Sequence, residues 1–327
     1  MLLGLALAVL AGFGPMIAYA VLITIFDRYE KEPLWLMLAA FAWGAIVAAG
    51  LALVFNTLFG VGVAVLTGDE RLTEVSTAVI SAPLVEETVK GLALLILFVL
   101  FRREFNSLLD GMIYGALVGF GFAATENVLY IFTGYAEGGV AGLVLLTLVR
   151  AVGIAFLHAS LTALTGLGLA AVRVWGNPLR YLVAPAGYLA AIVSHFLHNL
   201  MASSDNSLLC LFQLGVNWTG YFALLFFMIW LVWREGHVMR QQLADEMQSG
   251  LITPHEYQTA CSIPGQFSAR VSAIGRPNHP GKLFDLLGQL AFSKDLLQRR
   301  GLEREADTAR QIDLLRAQIA GLRGGAL

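Results

Sequence analysis

Charged residues are scarce in this chain: they make up 13% of its 327 residues, against roughly 25% in ordinary soluble domains. The net charge is only −2, and without a basic excess the composition does not indicate a nucleic-acid partner. Two cysteines, Cys210 and Cys261, lie far apart, which argues against a disulfide framework or a cysteine metal cluster. The HExxH signature of soluble zinc proteases is also missing.

Long apolar runs are what the sequence has instead. Hydrophobic residues make up 57% of it, and runs of about 20 residues are long enough to cross a hydrocarbon core roughly 30 Å thick. We predict an all-α, polytopic transmembrane helix bundle of about seven spans. The short apolar segment 57–66 either extends the second helix or lies in the membrane interface. The predicted spans are residues 2–26, 34–56, 75–101, 111–133, 143–173, 180–201 and 212–233.

Basic residues are concentrated in alternate connectors. Arg28 follows the first span, Arg102 the third, Arg173 the fifth and Arg234 the last, whereas Arg71 is the one arginine in the other connectors. Because basic loops stay in the cytoplasm, we expect a multi-pass protein of the cell membrane with its N-terminus outside and its C-terminus cytoplasmic.

The composition becomes that of a soluble protein after Arg234. We therefore divide the chain into a transmembrane domain, 1–235, and a cytoplasmic C-terminal tail, 236–327. The stretch 252–282 is rich in Pro, Gly, Ser and His and is predicted to be loop. From Leu283 onward, apolar residues at helical spacing predict one or two amphipathic helices.

Ionisable residues inside the spans carry the functional signal. A charged side chain at the centre of a membrane helix costs about 2.5–3.5 kcal/mol on insertion scales, so its presence indicates a use. At a rise of about 1.5 Å per residue, Glu86, Glu126, His158 and His195 fall at similar depths and could meet in one layer. The polar residues of the spans are Glu86, Glu87, Lys90, Glu126, Asn127, Arg150, His158, His195, His198 and Asn199.

Helix periodicity indicates where several of these side chains face. Gly111, Gly115 and Gly119 repeat every four residues, a pattern that lets membrane helices approach closely. Glu126 lies within about 20° of the same face, so it points at a neighbouring helix. Lys90 can pair with either Glu86 or Glu87, which leaves one acid uncompensated. A structural ion cluster is the alternative for that group, and Arg150 is expected to pair structurally.

These residues resemble the motifs of the PrsW family of intramembrane proteases. The run PLVEETVK at 83–90 resembles its PxxEExxK signature, and residues 110–127, ending in an FxxxE core, resemble its second motif. His158, and the H-x-x-x-N pair His195 and Asn199, resemble its two histidine motifs. His198 is unusual, since relatives often carry an aromatic residue there.

The resemblance implies cleavage of a membrane-associated protein in regulated proteolysis, with anti-sigma factors as the best-known substrates. More distantly, PrsW proteins resemble the CAAX-prenyl protease and bacteriocin-immunity superfamily. In that superfamily a glutamate pair and a histidine activate water, while a later histidine and asparagine hold the oxyanion. This chain departs from that pattern at Glu126, where the superfamily has a histidine.

Our hypothesis is an endopeptidase in which Glu87, or its neighbour Glu86, deprotonates a water and Lys90 fixes the spare carboxylate. Asn199 is expected to donate a hydrogen bond to the developing oxyanion. A zinc ion with one open position, or a metal-free glutamate mechanism, would complete the site. The candidate metal ligands are Glu126, His158 and His195, and the candidate catalytic residues are Glu86, Glu87, Lys90, Glu126, His158, His195 and Asn199.

Two other classes of function are compatible with buried ionisable residues. A proton-coupled transporter or channel would use them as a relay, although no paired interrupted helices occur in corresponding halves of the chain. A non-catalytic membrane sensor would signal through the tail. The expected partners are the lipid bilayer and a membrane-anchored protein substrate.

Overall fold

The regular secondary structure is helical wherever the computed structural model describes the chain, which is at residues 1–204, 206–272, 280–302 and 305–324. The predicted all-α fold is thereby confirmed. The helices before the tail are α1 (Leu2–Ile23), α2 (Leu34–Ala42), α3 (Ala49–Thr67), α4 (Glu70–Ser76), α5 (Ala82–Leu100), α6 (Leu108–Leu148), α7 (Leu157–Val174), α8 (Arg180–Ala202) and α9 (Ser207–Gln242).

Three π-helical turns interrupt these helices, a feature that is often found at functional sites. The turn Trp43–Ala48 joins α2 to α3, so residues 34–67 form one continuous helix and the segment 57–66 extends the second helix. The turn Thr77–Ser81 joins α4 to α5 just before the paired glutamates. The turn Val149–Gly153 precedes α7.

The chain reverses direction within α6. Gly139 has a φ of +59°, which is a backbone conformation that glycine adopts without steric cost. Beyond it, Gly142 approaches Gly134 so closely that an added Cβ would stand 2.1 Å from the Gly134 carbonyl oxygen. The two arms, residues 108–138 and 140–174, therefore form an antiparallel helical hairpin.

Glycines let the two arms of this hairpin pack backbone to backbone. A Cβ at Gly111, Gly115 or Gly119 would lie 2.2–2.5 Å from a carbonyl oxygen of α7. The close approach predicted from their four-residue spacing is confirmed. The opposite face of α6 is equally close to the second helix, since a Cβ on Gly121 would lie 2.0 Å from the Phe41 carbonyl oxygen. The first arm of α6 is consequently the buried centre of the bundle.

Five helical stretches of the described chain are long and apolar enough to cross a membrane. The predicted count of about seven is not confirmed. The predicted third span lies in α5, which carries three charged residues, Glu86, Glu87 and Lys90, and is not among the five. The predicted fourth and fifth spans lie in one stretch. The five are Leu2–Ile23, Leu34–Thr67, Leu108–Val174, Arg180–Ala202 and Ser207–Gln248.

The tail is helical and packs against the ends of the membrane helices. Arg173 at the end of α7 pairs with Glu305 in a buried contact, and Gly288 lies against the Tyr29 backbone of the α1–α2 connector. The predicted domain boundary after residue 235 falls inside α9. The tail helices are α10 (Ala244–Gln248), α11 (Pro254–Ala260), α12 (Ile263–Ser272), α13 (Pro280–Arg300) and α14 (Ala306–Gly324).

The loop predicted over 252–282 is wrong for most of its length. Helices α11 and α12 occupy 254–260 and 263–272, while residues 273–279 lie outside the described part of the chain. A capping box starts α11: the Thr253 hydroxyl accepts from the Glu256 N–H, and the Glu256 carboxylate accepts from the Thr253 N–H. Pro254 stands at the first helical position, where its missing N–H costs nothing, so these residues begin a helix.

Candidate active site

The paired glutamates of α5 have different partners. Lys90 Nζ donates to Glu87 Oε1 at 2.5 Å and lies 4.0 Å from Glu86 Oε2. Both carboxylates are buried, and neither Glu86 Oε2 nor Glu87 Oε2 has a hydrogen-bond partner within the described residues. A buried, unpartnered carboxylate oxygen is costly. Each of these two oxygens is thus available to a metal, a water or a substrate.

Two of the buried histidines, His158 and His195, each have one ring nitrogen against a glutamate. His195 Nδ1 lies 2.9 Å from Glu87 Oε1, and His158 Nε2 lies 2.8 Å from Glu126 Oε2. A carboxylate in this position fixes the tautomer of the imidazole and leaves the other nitrogen with a lone pair. The second nitrogen of His195, Nε2, lies 3.9 Å from Glu86 Oε2, and that of His158, Nδ1, accepts a hydrogen bond from Lys90 Nζ at 3.1 Å.

Glu126 faces the second arm of the hairpin, as its spacing from Gly119 predicts. Its Oε2 also accepts a hydrogen bond from Arg150 Nη2, and Arg150 Nε donates to Asn127 Oδ1 at 2.9 Å. The structural pairing expected for Arg150 is confirmed. Glu126 is held between a permanent cation and a histidine, so its position is that of a group that orients His158.

The residues of α8 are divided among three neighbours. His195 faces Glu87, whereas the Asn199 amide donates to the Ala78 carbonyl oxygen at 2.7 Å, in the π-helical turn before α5. His198 faces α9, where Asn217 Nδ2 lies 3.0 Å from its Nδ1 and Gln213 Nε2 also contacts it. The structure therefore brings His195, but not Asn199 or His198, into the glutamate cluster.

Three side chains form a candidate metal site. The ligand atoms of Glu86, His158 and His195 all lie within 4.8 Å of one another. Zinc ligands at about 2.1 Å from the ion are about 3.4 Å apart in a tetrahedral site, so these atoms must approach by roughly 1 Å to bind it. The unpartnered Glu86 oxygen and the two carboxylate-held imidazoles fit such an ion. Lys90 Nζ lies 3.1 Å from His158 Nδ1 and 4.0 Å from Glu86 Oε2, so it must move away from His158 for the ion to bind.

The candidate metal site in the structure contains Glu86, whereas the metal ligands proposed from sequence contained Glu126 in its place. The five other side chains form one connected chain of contacts, in the order Glu126, His158, Lys90, Glu87 and His195. The shared layer predicted from depth for Glu126, His158 and His195 agrees with this cluster. Gln213 and Asn217, which contact His198, were not predicted from the sequence. Their signal was two carboxamides four residues apart in an apolar run, on one face of a helix.

Known proteins share the part of the chain that contains this cluster. Residues 32–233 match the family described as PrsW family intramembrane metalloprotease. "Protease PrsW" of Geobacillus kaustophilus is 32% identical over 131 residues, which are 40% of this chain and 55% of that protein. "Protease PrsW" of Clostridioides difficile is 39% identical over 107 residues, which are 33% and 43% of the two chains.

"Protease PrsW" of Bacillus subtilis is 32% identical over 123 residues, or 37% of this chain and 52% of that protein. The matched region thus spans about half the length of these curated relatives. No solved structure matches the chain. The family match extends over more than half of the chain and includes every helix that contributes to the glutamate and histidine cluster. This multi-pass membrane protein belongs to the PrsW family of intramembrane metalloproteases.

Proposed function

We propose that the chain hydrolyses a peptide bond of a membrane-associated protein, at the cluster formed by α5, the α6–α7 hairpin and α8. The observation that carries the proposal is the pair of buried, unpartnered oxygens, Glu86 Oε2 and Glu87 Oε2, beside two histidines. A purely structural ion cluster would satisfy these atoms. Regulated proteolysis, for example of an anti-sigma factor, is the activity that the family resemblance implies.

The two glutamates take different roles in this proposal. Glu86, His158 and His195 would hold a zinc ion, which when bound would lower the pKa of a water molecule and polarise a carbonyl group. Glu87 accepts the proton of the attacking water on Oε2, while Lys90 and His195 hold its Oε1. Glu126 and Arg150 keep His158 in the required tautomer.

The reaction forms a bond from the water oxygen to the scissile carbonyl carbon and breaks the carbon–nitrogen bond. Glu87 transfers the proton that it accepted to the leaving nitrogen, so the products are a carboxylic acid and an amine, which become a carboxylate and an ammonium group once the remaining proton is exchanged. The site is enclosed by transmembrane helices. Water must therefore reach it through the protein, and a buried base works there without competition from bulk solvent.

Substitution of the paired glutamates tests the proposal. The purified protein, reconstituted in lipid vesicles with a reporter that has one membrane-spanning helix, should cleave the reporter. Glu87→Gln should lower the rate by about 10² or more, the usual loss when a general base is removed. Glu137→Gln is the matched control, because Glu137 is exposed at the turn of the hairpin. Cleavage by Glu87→Gln at the wild-type rate would overturn the assignment and favour the transporter alternative.

We also infer that the N-terminus lies outside and the tail in the cytoplasm, because the basic connectors alternate along the sequence. A cysteine placed at position 138, at the turn of the hairpin, should react with a membrane-impermeant maleimide added to intact cells. A cysteine at position 250, in the tail, should react only after the cells are opened. The reverse accessibility would show that the orientation is inverted.

A further inference from the structure

A second polar cluster lies between α8 and α9, outside the glutamate cluster. It consists of His198, Gln213 and Asn217, in which both carboxamides reach the Nδ1 atom of the imidazole. His198 and Gln213 are more than nine-tenths buried. All three residues belong to helices that are apolar and long enough to cross a membrane. The catalytic arrangement described above uses none of them.

The hydrogen-bonding groups of this cluster are not all satisfied. Imidazole Nδ1 carries either one proton or one lone pair, so it cannot bond fully to two carboxamides. The two contacts to Nδ1 leave His198 Nε2, Gln213 Oε1 and Asn217 Oδ1 without a bond inside the cluster. Polar atoms at membrane depth without partners are unfavourable. Their presence indicates that something else bonds to them.

These side chains line a cavity of about 670 Å³ at the end of the bundle where α8 and α9 are joined. Its size is that of a ligand-binding pocket. His198, Gln213 and Asn217 line it together with apolar residues, among them Val149, Ile154 and Leu211. The cavity thus offers both polar groups and apolar surface.

An unwound peptide has polar backbone groups and apolar side chains, which suit a cavity with both kinds of lining residue. In a substrate helix each backbone carbonyl is occupied by a hydrogen bond, so the segment around the scissile bond must unwind before it can be attacked. The freed N–H and C=O groups are then unsatisfied within the bilayer. An extended segment directs successive side chains to opposite sides and presents its backbone groups between them.

The cavity is also next to the glutamate cluster. His198 follows His195 by three residues on α8, a spacing that brings the two Cβ atoms to roughly 5–6 Å. Val149 begins the π-helical turn that contains Arg150, the partner of Glu126, and Ile154 follows that turn. A peptide in the cavity would therefore lie about one helical turn from His195 of the proposed reaction centre.

We propose that this cavity is a substrate subsite, in which His198, Gln213 and Asn217 bond to the backbone of the unwound substrate segment next to the scissile bond. The inference rests on the proposed function. A lipid acyl chain is the competing occupant, but it has no group that could hydrogen-bond to His198, Gln213 or Asn217.

A native thiol makes the subsite testable without altering its walls. Cys210 lines the cavity and is exposed, whereas Cys261 is buried in the tail region. In a Glu87→Gln, Cys261→Ala protein, which retains but does not cleave the reporter, single cysteines are moved along the reporter helix and oxidised. Disulfides to Cys210 should form only with reporter positions within a few residues of the scissile bond.

A lipid-facing cysteine is the matched control for cross-linking. Phe226 is exposed on the same helix and outside the cavity, so Phe226→Cys in a Cys210→Ser background should give no position-dependent disulfide. If the wild-type protein cleaves the reporter but Cys210 does not cross-link near the scissile bond, the subsite is wrong and the protease proposal stands. If the wild-type protein cleaves nothing, the proposed function fails first.

Kinetics provides an independent measurement. Gln213→Leu or Asn217→Leu should raise KM for the reporter about fivefold, the equivalent of one lost hydrogen bond, with kcat changed less. Thr219→Val removes an exposed polar group from the same helix and should leave KM unchanged. Unchanged KM in the first two variants, with full cleavage after Cys210 is blocked by a lipid-soluble maleimide, would assign the cavity to lipid and overturn the inference.

Discussion

Glu86 and Glu87 are neighbours in sequence, yet their surroundings distinguish them. Glu87 has a lysine and a histidine on one oxygen, which is the environment of a carboxylate that must remain ionised. Glu86 has its cation farther away, at 4.0 Å, and faces two imidazoles. These surroundings are the reason that our proposal assigns the proton to Glu87 and the metal to Glu86.

Zinc content separates the two roles. Glu86→Gln, His158→Ala and His195→Ala should each remove the ion, because each change removes one of three protein ligands. Glu87→Gln should keep zinc while losing cleavage. Metal analysis of the purified variants measures the first effect without reference to activity.

Glu126→Gln decides between the two carboxylates considered as ligands. It should retain zinc with affinity lowered by about 10- to 100-fold, as is usual when the partner of a ligating histidine is changed. Complete loss of zinc from Glu126→Gln, with retention in Glu86→Gln, would restore Glu126 to the ligand set and remove Glu86 from it.

At the scale of elements, the α6–α7 hairpin determines where the site lies. Its arms touch at Gly119 and the His158 backbone, and again at Glu126 and Arg150. These contacts consequently fix the position of His158 along the first arm. Because the contacts are between backbones, the relative height of the two arms depends on glycines that no larger residue can replace without displacement.

Gly115→Ala should destabilise the protein by about 1–3 kcal/mol, the usual effect of overpacking. The reason is that the new Cβ would stand 2.5 Å from the Thr162 carbonyl oxygen, which belongs to the backbone and has little freedom to move. Gly62→Ala in α3 is the control: no atom lies within 4 Å of its Cβ position, so helix propensity should make it neutral or stabilising by up to about 1 kcal/mol. Thermal unfolding in detergent measures both, and equal stabilities would contradict the backbone contact.

At the scale of the whole molecule, acidic side chains collect where the membrane helices meet the tail. Glu32, in the connector between α1 and α2, accepts a hydrogen bond from the Tyr114 hydroxyl, and Asn106 donates to Glu30 at 3.0 Å. Burial, together with the charges of Asp110 and Asp27, raises the pKa of both Glu30 and Glu32 well above the usual glutamate value. The folded protein therefore holds protons there that the unfolded chain releases.

Stability should fall as the pH rises from about 5, because the unfolded glutamates lose their protons near pH 4.3 while the folded ones keep them to higher pH. This contribution to stability is complete below the unfolded pKa and is lost through the raised folded pKa. Glu32→Gln should reduce the slope of unfolding temperature against pH, because an amide in that position does not titrate. An unchanged slope in the variant would assign the pH dependence to other groups.

Much of the fold could be predicted from sequence because its causes are local. Apolar runs predicted the all-α membrane bundle, and the glycine spacing predicted the close face of α6. The loop prediction over 252–282 failed because it was based on the content of Pro, Gly, Ser and His. It did not take account of the capping box that begins α11. The predicted number of spans was not confirmed for two reasons. The α6–α7 hairpin forms one apolar stretch, and α5, with its three charged residues, is not among the five apolar stretches.

The candidate site, too, could be predicted only in part from the sequence. Residue types and depths predicted the cluster of glutamates, Lys90 and two histidines. The choice between Glu86 and Glu126 could not be predicted, because it depends on Arg150, which reaches Glu126 only after the chain reverses at Gly139. Likewise, Asn199 bonds to a carbonyl in the π-helical turn before α5, and periodicity alone does not locate such a turn.

The pairing of Arg173 with Glu305 has a consequence for how the protein is made. The two residues are 132 positions apart, so at about 5–20 residues per second the ribosome delivers the acid roughly 7–26 s after the arginine. Throughout that interval Arg173 has no access to Glu305, although α7 is already complete. The contact between α7 and the tail can thus form only after the ribosome has made the tail. Newly inserted chains must therefore pass through a stage in which the membrane helices lack the packed tail.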